Sequence, residues 1–226
     1  MSFAKDDFIF SGWKREMKKT YLFDFDGTLV DSMPTFGAVM VRILDERGIA
    51  YGEDILKIIT PLGYRGTAEY FRTLGVKESV DELIGIMNDY ARIEYENNVP
   101  AKPSVAEVLR EMKNRGYSLN VLTASPHLAL DPCLKRLGLW ELFDKVWSCD
   151  DFGTTKANPE IYRMAAERLG KGVGEVIFVD DNINAVKTAK AAGMVSVGIF
   201  DQSSAEYVDE FKAAADGYVF SFGELD

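Results

Sequence analysis

The chain has 226 residues and a formal net charge of −10, with 26 Lys and Arg residues against 36 Asp and Glu residues. This acidic balance argues against non-specific binding to nucleic acid or to anionic membranes, because both need basic surface. Hydrophobic residues make up 47% of the chain, enough for a substantial core, and no stretch approaches the roughly 18 apolar residues of a membrane span. Cys133 and Cys149 lack the spacing of a metal or redox pair, so we expect reduced thiols and a cytoplasmic location.

The N-terminal residues 1–16 are predicted to form an arm ahead of the fold. They contain no apolar stretch of secretory length. Their large apolar side chains are suited to packing on the core; they are Phe8, Ile9, Phe10 and Trp13. The sequence leaves open whether the arm has a function or reflects an upstream start.

A short apolar strand is predicted over residues 20–25, and its end carries Asp24 and Asp26, followed by Gly27. In a parallel α/β sheet, ligands bind just beyond the carboxyl ends of the strands. Because side chains alternate along a strand, we expect Asp24 and Asp26 to leave the same face. Two crowded carboxylates repel each other unless a cation or a shared proton is present. Mg²⁺ is the expected cation, because it prefers oxygen ligands.

Residues 33–99 differ from the rest of the chain, because their apolar residues recur with helical spacing in four stretches. No convincing strand lies among them. We therefore predict a helical cap over residues 33–99, inserted into an α/β core formed by residues 1–32 and 100–226. Prolines at the two crossings, near Asp31–Pro34 and Asn98–Pro103, mark the boundaries.

After the cap, predicted strands alternate with predicted helices. The strands cover residues 117–122, 145–149, 175–180, 194–199 and 217–221. Between them, apolar residues fall at positions i, i+3, i+4 and i+7, which is typical of one helix face. This alternation predicts βαβ units and therefore a parallel sheet.

Three of these later stretches also place polar side chains at strand ends. Thr123, Ala124 and Ser125 follow an apolar strand, and hydroxyl and backbone N–H groups in such a position can donate to phosphate oxygens. A buried strand likewise ends in Asp180 and Asp181, and Lys156 precedes an Asn-Pro helix start. Taken singly, the hydroxyls also fit a helix cap, and a lone lysine also fits solvated surface.

In this order, the four stretches resemble the motifs of the haloacid dehalogenase superfamily in its phosphatase form, and the resemblance covers residues 20–200. It implies a Rossmann-like, doubly wound parallel sheet with an inserted all-helical cap. It also implies that Asp24 is the nucleophile that becomes an aspartyl-phosphate and that Asp26 is the general acid/base. A carboxylate nucleophile divides one difficult displacement into two easier ones.

The same resemblance assigns the remaining ligands. Thr123, Ala124 and Lys156 would bind the phosphoryl group. The Mg²⁺ ligands would be Asp24, the Asp26 carbonyl group and Asp181, with Asp180 beside them. Two positions depart from the family pattern. Ala157 replaces a proline after the lysine, and Ala185 stands where members often carry a further acid.

The sequence therefore predicts a Mg²⁺-dependent phosphatase that acts on a small phosphorylated metabolite, similar to phosphoglycolate phosphatases. Two alternatives stay open: a sugar-phosphate mutase of the β-phosphoglucomutase type, and a catalytically silent binding or regulatory protein on the same fold. A mutase of this type typically has a histidine shortly after the first motif, where this chain has Phe36. Retention of both Asp24 and Asp26 argues against a silent protein.

Substrate contacts beyond the phosphoryl group are predicted at two residues. Arg65, expected in a loop between cap helices, has the planar fork that suits a substrate carboxylate or phosphate. Ser125 is the second candidate. The sequence does not define the roles of His127, Asp150 and Asp151, the oligomeric state or the natural substrate.

Overall fold

The computed structural model describes residues 19–59 and 62–225. The predicted arm, with its four packing residues, lies outside the described residues. Six strands are present: β1 (Thr20–Phe23), β2 (Ser118–Thr123), β3 (Lys145–Ser148), β4 (Val176–Asp180), β5 (Val195–Ile199) and β6 (Gly217–Val219). They form one parallel sheet in the order β3-β2-β1-β4-β5-β6. All six strand predictions and the parallel sheet are confirmed.

Nine α-helices are present in the described part of the chain. Four precede β2: α1 (Met33–Glu46), α2 (Ile55–Ile59), α3 (Gly63–Thr73) and α4 (Val80–Asn97). Five follow: α5 (Val105–Asn114), α6 (His127–Arg136), α7 (Glu160–Arg168), α8 (Ile183–Ala192) and α9 (Val208–Ala214). None of them is both long enough and apolar enough to cross a membrane. The α/β fold class with its helical cap is therefore confirmed.

The sheet is buried on both faces, as its continuous apolar strands predict. Because side chains alternate along β1, Tyr21 and Phe23 belong to one apolar cluster, which includes residues of α5 and α6. Leu22 points to the opposite cluster, which includes Ile161 of α7 and Ala189 of α8. Helices therefore cover both faces, and the edge formed by the strand ends is left to build a site.

The strand order reverses at the junction of β1 and β4. Phe23 pairs in register with Val121 of β2 and with Val179 of β4. The backbone N–H of Asp24 then donates to the Val179 carbonyl oxygen at 2.9 Å. The ends of β1 and β4 are therefore adjacent at the topological switch point, where ligands bind in open α/β sheets.

Helices α1 to α4 share an apolar cluster of their own. Its buried residues include Met40, Ile43, Leu44, Ile59, Phe71, Leu83 and Met87. The two segments that join these helices to the core lie side by side. The Asp31 N–H donates to the Pro100 carbonyl at 2.9 Å, and the Lys102 N–H donates to the Leu29 carbonyl at 3.0 Å. The division of the chain at residues 32/33 and 99/100 stays a prediction, and this paired crossing is where we expect a hinge.

Candidate active site

Three carboxylates meet where β1 and β4 end. Asp24, Asp180 and Asp181 are all buried, and one oxygen from each lies within 4.8 Å of the others. The adjacency of the two strands produces this cluster, since Asp24 directly follows β1 and the other two residues stand at the end of β4. The structure thus brings together three of the four carboxylates that the sequence predicts at strand ends.

Lys156 is the cation of this cluster. Its Nζ lies 2.7 Å from Asp24 Oδ1 and 2.8 Å from Asp180 Oδ2. The loop that carries the lysine is anchored by Tyr162, whose hydroxyl lies 3.0 Å from the Lys156 carbonyl oxygen and 3.1 Å from that of Ala185. These contacts stabilise the loop in which Ala157 replaces the usual proline.

Burial dominates the electrostatics of the cluster. It raises the pKa of Asp24 to about 7, although Lys156 acts in the opposite direction. Burial, reinforced by the charge of Asp180, also raises the pKa of Asp181 well above its usual range. Burial alone would lower the pKa of Lys156, but Asp180 and Asp24 outweigh it and raise that pKa. A permanently charged lysine therefore faces more carboxylates than it can neutralise.

This donor set fits a hard divalent cation. Carboxylate oxygens are the ligands that Mg²⁺ prefers, and such an ion would supply the positive charge that lets the buried carboxyl groups of Asp24 and Asp181 be ionised together. Gly27 lets the backbone approach closely. Its φ is +74°, and a Cβ there would lie 2.3 Å from Asp181 Oδ2. Thr28 Oγ1 donates to Asp181 Oδ1 at 3.0 Å and fixes the orientation of that carboxylate.

The carboxylate of Asp26 has different surroundings. It accepts hydrogen bonds from Ser32 Oγ at 2.7 Å, from the Tyr95 hydroxyl and from Ser125 Oγ. Because β1 ends at Phe23, the strand alternation expected to align Asp26 with Asp24 does not extend to these residues. The two acids consequently differ in environment: Asp24 pairs with an ammonium group, whereas Asp26 is held by neutral hydroxyls.

Sequence analysis missed Tyr95. This residue lies near the end of α4, so a cap helix supplies a direct contact to Asp26. Its ring lies 6.0 Å from that of Phe25, and Arg136 Nη2 donates to its carbonyl oxygen at 3.1 Å. Burial raises the pKa of Tyr95, so its hydroxyl stays a neutral donor. Helical periodicity could have placed Tyr95 on α4, but no local signal shows that its hydroxyl reaches the core.

The hydroxyl group of Thr123 lies at the end of β2, where the sequence predicts a phosphate ligand. Thr123 is buried, and its Oγ1 accepts a hydrogen bond from the Ser125 N–H at 3.0 Å. This contact, between residues two positions apart, is the local capping hydrogen bond that the sequence also allowed. The hydrogen of the Thr123 hydroxyl can still be donated to another group. The roles of Thr123, Ala124 and Ser125 in phosphate or substrate binding stay predictions.

Arg65 is not in a loop, as expected from the sequence, but in the first turn of α3. Its Nη2 pairs with Asp81 Oδ1 at 3.2 Å, and both side chains are largely exposed. The loop assignment is wrong because Gly63 begins the helix instead of interrupting it. Among the described residues, no contact joins Arg65 to the carboxylate cluster, and its role in substrate binding stays a prediction.

His127 lies between two carboxylates at the start of α6. Its Nδ1 lies 2.7 Å from Asp131, and its Nε2 lies 2.8 Å from Asp151. Asp151 also accepts a hydrogen bond from the Ser148 N–H at 2.9 Å, while Asp150 is exposed. These contacts connect the segments after β2 and β3.

Comparison with known proteins agrees with this geometry. A family model described as haloacid dehalogenase-like hydrolase matches residues 18–193. Pyrophosphatase PpaX of Bacillus velezensis is 33% identical over 180 residues, which cover 79% of this chain and 81% of the relative. Phosphoglycolate phosphatase of Salmonella typhimurium is 31% identical over 199 residues, covering 78% and 79%.

Solved structures of similar fold include a putative β-phosphoglucomutase from Thermotoga maritima. It superposes with a TM-score of 0.76 at 25% identity, over 89% of this chain and 94% of that one. A predicted phosphoglycolate phosphatase from Haemophilus somnus gives a TM-score of 0.77 at 20% identity, over 94% and 97%. The chain therefore belongs to the haloacid dehalogenase-like hydrolase family, and its phosphatase-named relatives place it among the phosphoric monoester hydrolases of that family.

Proposed function

We propose that the protein is a Mg²⁺-dependent, cytoplasmic phosphatase that hydrolyses a small phosphorylated metabolite through an aspartyl-phosphate on Asp24. The observation that carries this proposal is the contrast between two neighbouring carboxylates. Asp24 is paired with Lys156 within the buried cluster of three carboxylates, whereas Asp26 is held separately by three hydroxyls. Carboxylates in such different environments can take the different roles of nucleophile and acid/base.

In the first half-reaction, an Asp24 oxygen attacks the phosphorus atom in line with the leaving oxygen. Lys156 reduces the repulsion between the phosphoryl group and the Asp24 carboxylate, because its charge lies 2.7 Å from Asp24 Oδ1. A bound Mg²⁺, held by Asp24, the Asp26 carbonyl group and Asp181, would supply positive charge that stabilises the phosphoryl oxygens. Thr123 donates its hydroxyl hydrogen to one of those oxygens.

Asp26 transfers the protons in both halves of the reaction. As an acid it protonates the leaving oxygen, and as a base it then takes a proton from the water that hydrolyses the aspartyl-phosphate. Its hydroxyl partners come from the paired crossing (Ser32), a cap helix (Tyr95) and the segment after β2 (Ser125). The position of Asp26 therefore depends on the position of the cap.

Tyr95→Phe is expected to lower kcat by about 10-fold, since a lost hydrogen bond to a charged group typically costs about 1.5–3 kcal/mol and two other donors remain. We expect KM to change little, because Tyr95 contacts the acid/base and not the phosphoryl ligands. Tyr90→Phe is the matched control, since the Tyr90 hydroxyl lies on the same helix and contacts Glu46. Steady-state kinetics that are equal for the two variants would remove Tyr95 from the mechanism.

Release of inorganic phosphate from p-nitrophenyl phosphate in the presence of Mg²⁺ tests the proposed function. We expect steady turnover without a second phosphorylated compound. A mutase would require a phosphorylated activator and would return an isomer of its substrate without net phosphate release. A silent binding protein would release no phosphate with or without such an activator. Dependence on an activator, or the absence of phosphate release, would overturn the proposal.

A further inference from the structure

We propose that the substrate is a phosphate monoester of an uncharged alcohol that presents a ring or another apolar face to the cap residues Phe36 and Tyr64. This inference rests on the proposed phosphatase function and specifies its substrate class. Phe36 and Tyr64 are called the aromatic wall below. The proposed substrate class differs from the expectation that a cap arginine binds a second anionic group of the substrate.

The aromatic wall begins one helical turn from the acid/base. Ser32 Oγ contacts Asp26 Oδ1 at 2.7 Å, and the Phe36 N–H donates to the Ser32 carbonyl oxygen at 3.0 Å in the first turn of α1. The Phe36 ring stacks on that of Tyr64 of α3, with centroids 5.5 Å apart and an interplanar angle of 10°. Both rings are only half-buried, so each keeps surface free for a ligand.

The hydroxyl group of Tyr64 is a neutral part of the aromatic wall. Burial raises the pKa of Tyr64 to about 12, and the charge of Asp26 adds to this effect. The Tyr64 hydroxyl is therefore neutral near pH 7. Tyr95 contacts Asp26 directly, and the aromatic wall is connected to Asp26 through Ser32. What these residues offer a leaving group is aromatic surface and neutral hydroxyls.

The arginines of the cap with described contacts are paired with acids of the cap. The pairs are Arg42 with Glu46 at 2.8 Å, Arg47 with Glu78 at 2.5 Å, Arg65 with Asp81 at 3.2 Å and Arg92 with Glu96 at 2.9 Å. The other described cations of residues 33–99 are exposed; they are Lys57, Arg72 and Lys77. Among the described residues of the cap, no cation contacts Asp26.

The described cations of the core near the strand ends also have partners within the protein. Lys156 pairs with Asp24 and Asp180, and Lys102 Nζ pairs with Asp201 at 2.8 Å. Arg136 donates to the carbonyl oxygens of Tyr95 and Val99, and His127 lies between two acids. A carboxylate or second phosphate on the substrate would therefore be buried without a cation, which is strongly unfavourable.

An uncharged leaving group avoids this cost and gains contact with the rings. Aromatic side chains pack well against other rings and apolar faces, and ligand sites commonly combine apolar walls with a few placed polar groups. In this site the polar groups bind the phosphoryl group, and the aromatic wall is available to contact the alcohol part of the substrate. The geometry therefore favours ring-bearing phosphates over a small ester that carries an additional carboxylate, such as phosphoglycolate.

Three alkyl phosphates test the substrate class with the same type of leaving group: benzyl phosphate, ethyl phosphate and 2-phosphoglycolate. With Mg²⁺ present, we expect kcat/KM to fall in that order. Tyr64→Leu should lower the benzyl-to-ethyl ratio of kcat/KM by roughly 2- to 12-fold, the range of one aromatic pair contact. Tyr51→Leu is the matched control in the cap, since Tyr51 is exposed and its hydroxyl contacts Asp45 at 2.8 Å.

A faster reaction with 2-phosphoglycolate than with ethyl phosphate would overturn the substrate class while leaving the phosphatase function intact. An unchanged benzyl-to-ethyl ratio in both Tyr64→Leu and Phe36→Leu would do the same. If a variant fails to fold, as judged by its thermal transition, the order of the three substrates in the unmodified protein still decides. If the protein hydrolyses neither p-nitrophenyl phosphate nor any of the three esters, the proposed function itself is overturned.

Discussion

Asp24→Asn is expected to abolish phosphate release, because the amide cannot act as the nucleophile that accepts the phosphoryl group. The substitution also removes the charge that Lys156 contacts at 2.7 Å. Thermal unfolding should be followed in parallel, to show that the variant is folded. Turnover of Asp24→Asn at the rate of the unmodified protein would exclude Asp24 as the nucleophile.

Asp26→Asn is expected to impair proton transfer, a role typically worth about 10²–10⁴-fold in rate. If hydrolysis of the aspartyl-phosphate slows more than its formation, the intact protein gains the mass of one phosphoryl group, which mass spectrometry would detect. The double variant Asp24→Asn/Asp26→Asn should show no such gain. Asp150→Asn is the matched control, because Asp150 is exposed after β3. Equal activity of the Asp26 and Asp150 variants would contradict the assignment of the acid/base.

Removal of divalent cations is also expected to have a large effect. In EDTA, phosphate release should fall to background, because Lys156 alone cannot neutralise three carboxylates together with a phosphoryl group. Added Mg²⁺ should restore turnover, whereas Ca²⁺ should be a poor substitute, since it prefers more ligands in a looser geometry. Full turnover in chelator would contradict the metal assignment.

The same site predicts a pH-dependent effect of Mg²⁺ on stability. Burial raises the pKa of Asp24 to about 7 in the ion-free protein, so the folded state holds a proton that the unfolded state has already released. The ion-free protein should therefore lose stability as the pH rises from about 4 to 7. An ion that binds the ionised carboxylate offsets this loss and stabilises the fold by mass action, about 2.7 kcal/mol at a concentration of 100 Kd.

The rise in Tm on adding Mg²⁺ should consequently be larger at pH 8 than at pH 5.5. Thermal unfolding at the two pH values, with and without the ion, measures this difference independently of activity. Asp181→Asn should reduce the rise, whereas Asp150→Asn should leave it unchanged. A rise that is the same at both pH values would contradict a site built from carboxylates with raised pKa values.

Patterns in the sequence were enough to predict the strands, the cap helices and the carboxylates of the site. Apolar runs and helical spacing predicted β1 to β6 and the four cap helices, because such periodicities reflect which faces of an element are buried. The order of the four motifs, through their resemblance to the haloacid dehalogenase superfamily, then implied that Asp24, Asp26, Asp180 and Asp181 belong to one site, and the structure brings three of these carboxylates together. The elements could be predicted without tertiary detail, because the periodicities depend on local burial alone.

The tertiary structure alone decided the orientation and the partners of the side chains. Asp26 follows the end of β1, so no strand periodicity determines its direction, and its hydroxyl partners lie 6, 69 and 99 residues away. The contact of Tyr95 with Asp26 and the stacking of Phe36 on Tyr64 likewise depend on how the cap helices pack over the sheet. The ion pair of Arg65 with Asp81 on the surface is a further contact of this kind, and the role of Arg65 in substrate binding stays a prediction. Side-chain contacts between segments far apart in the chain leave no periodic signal, and only the packed structure reveals them.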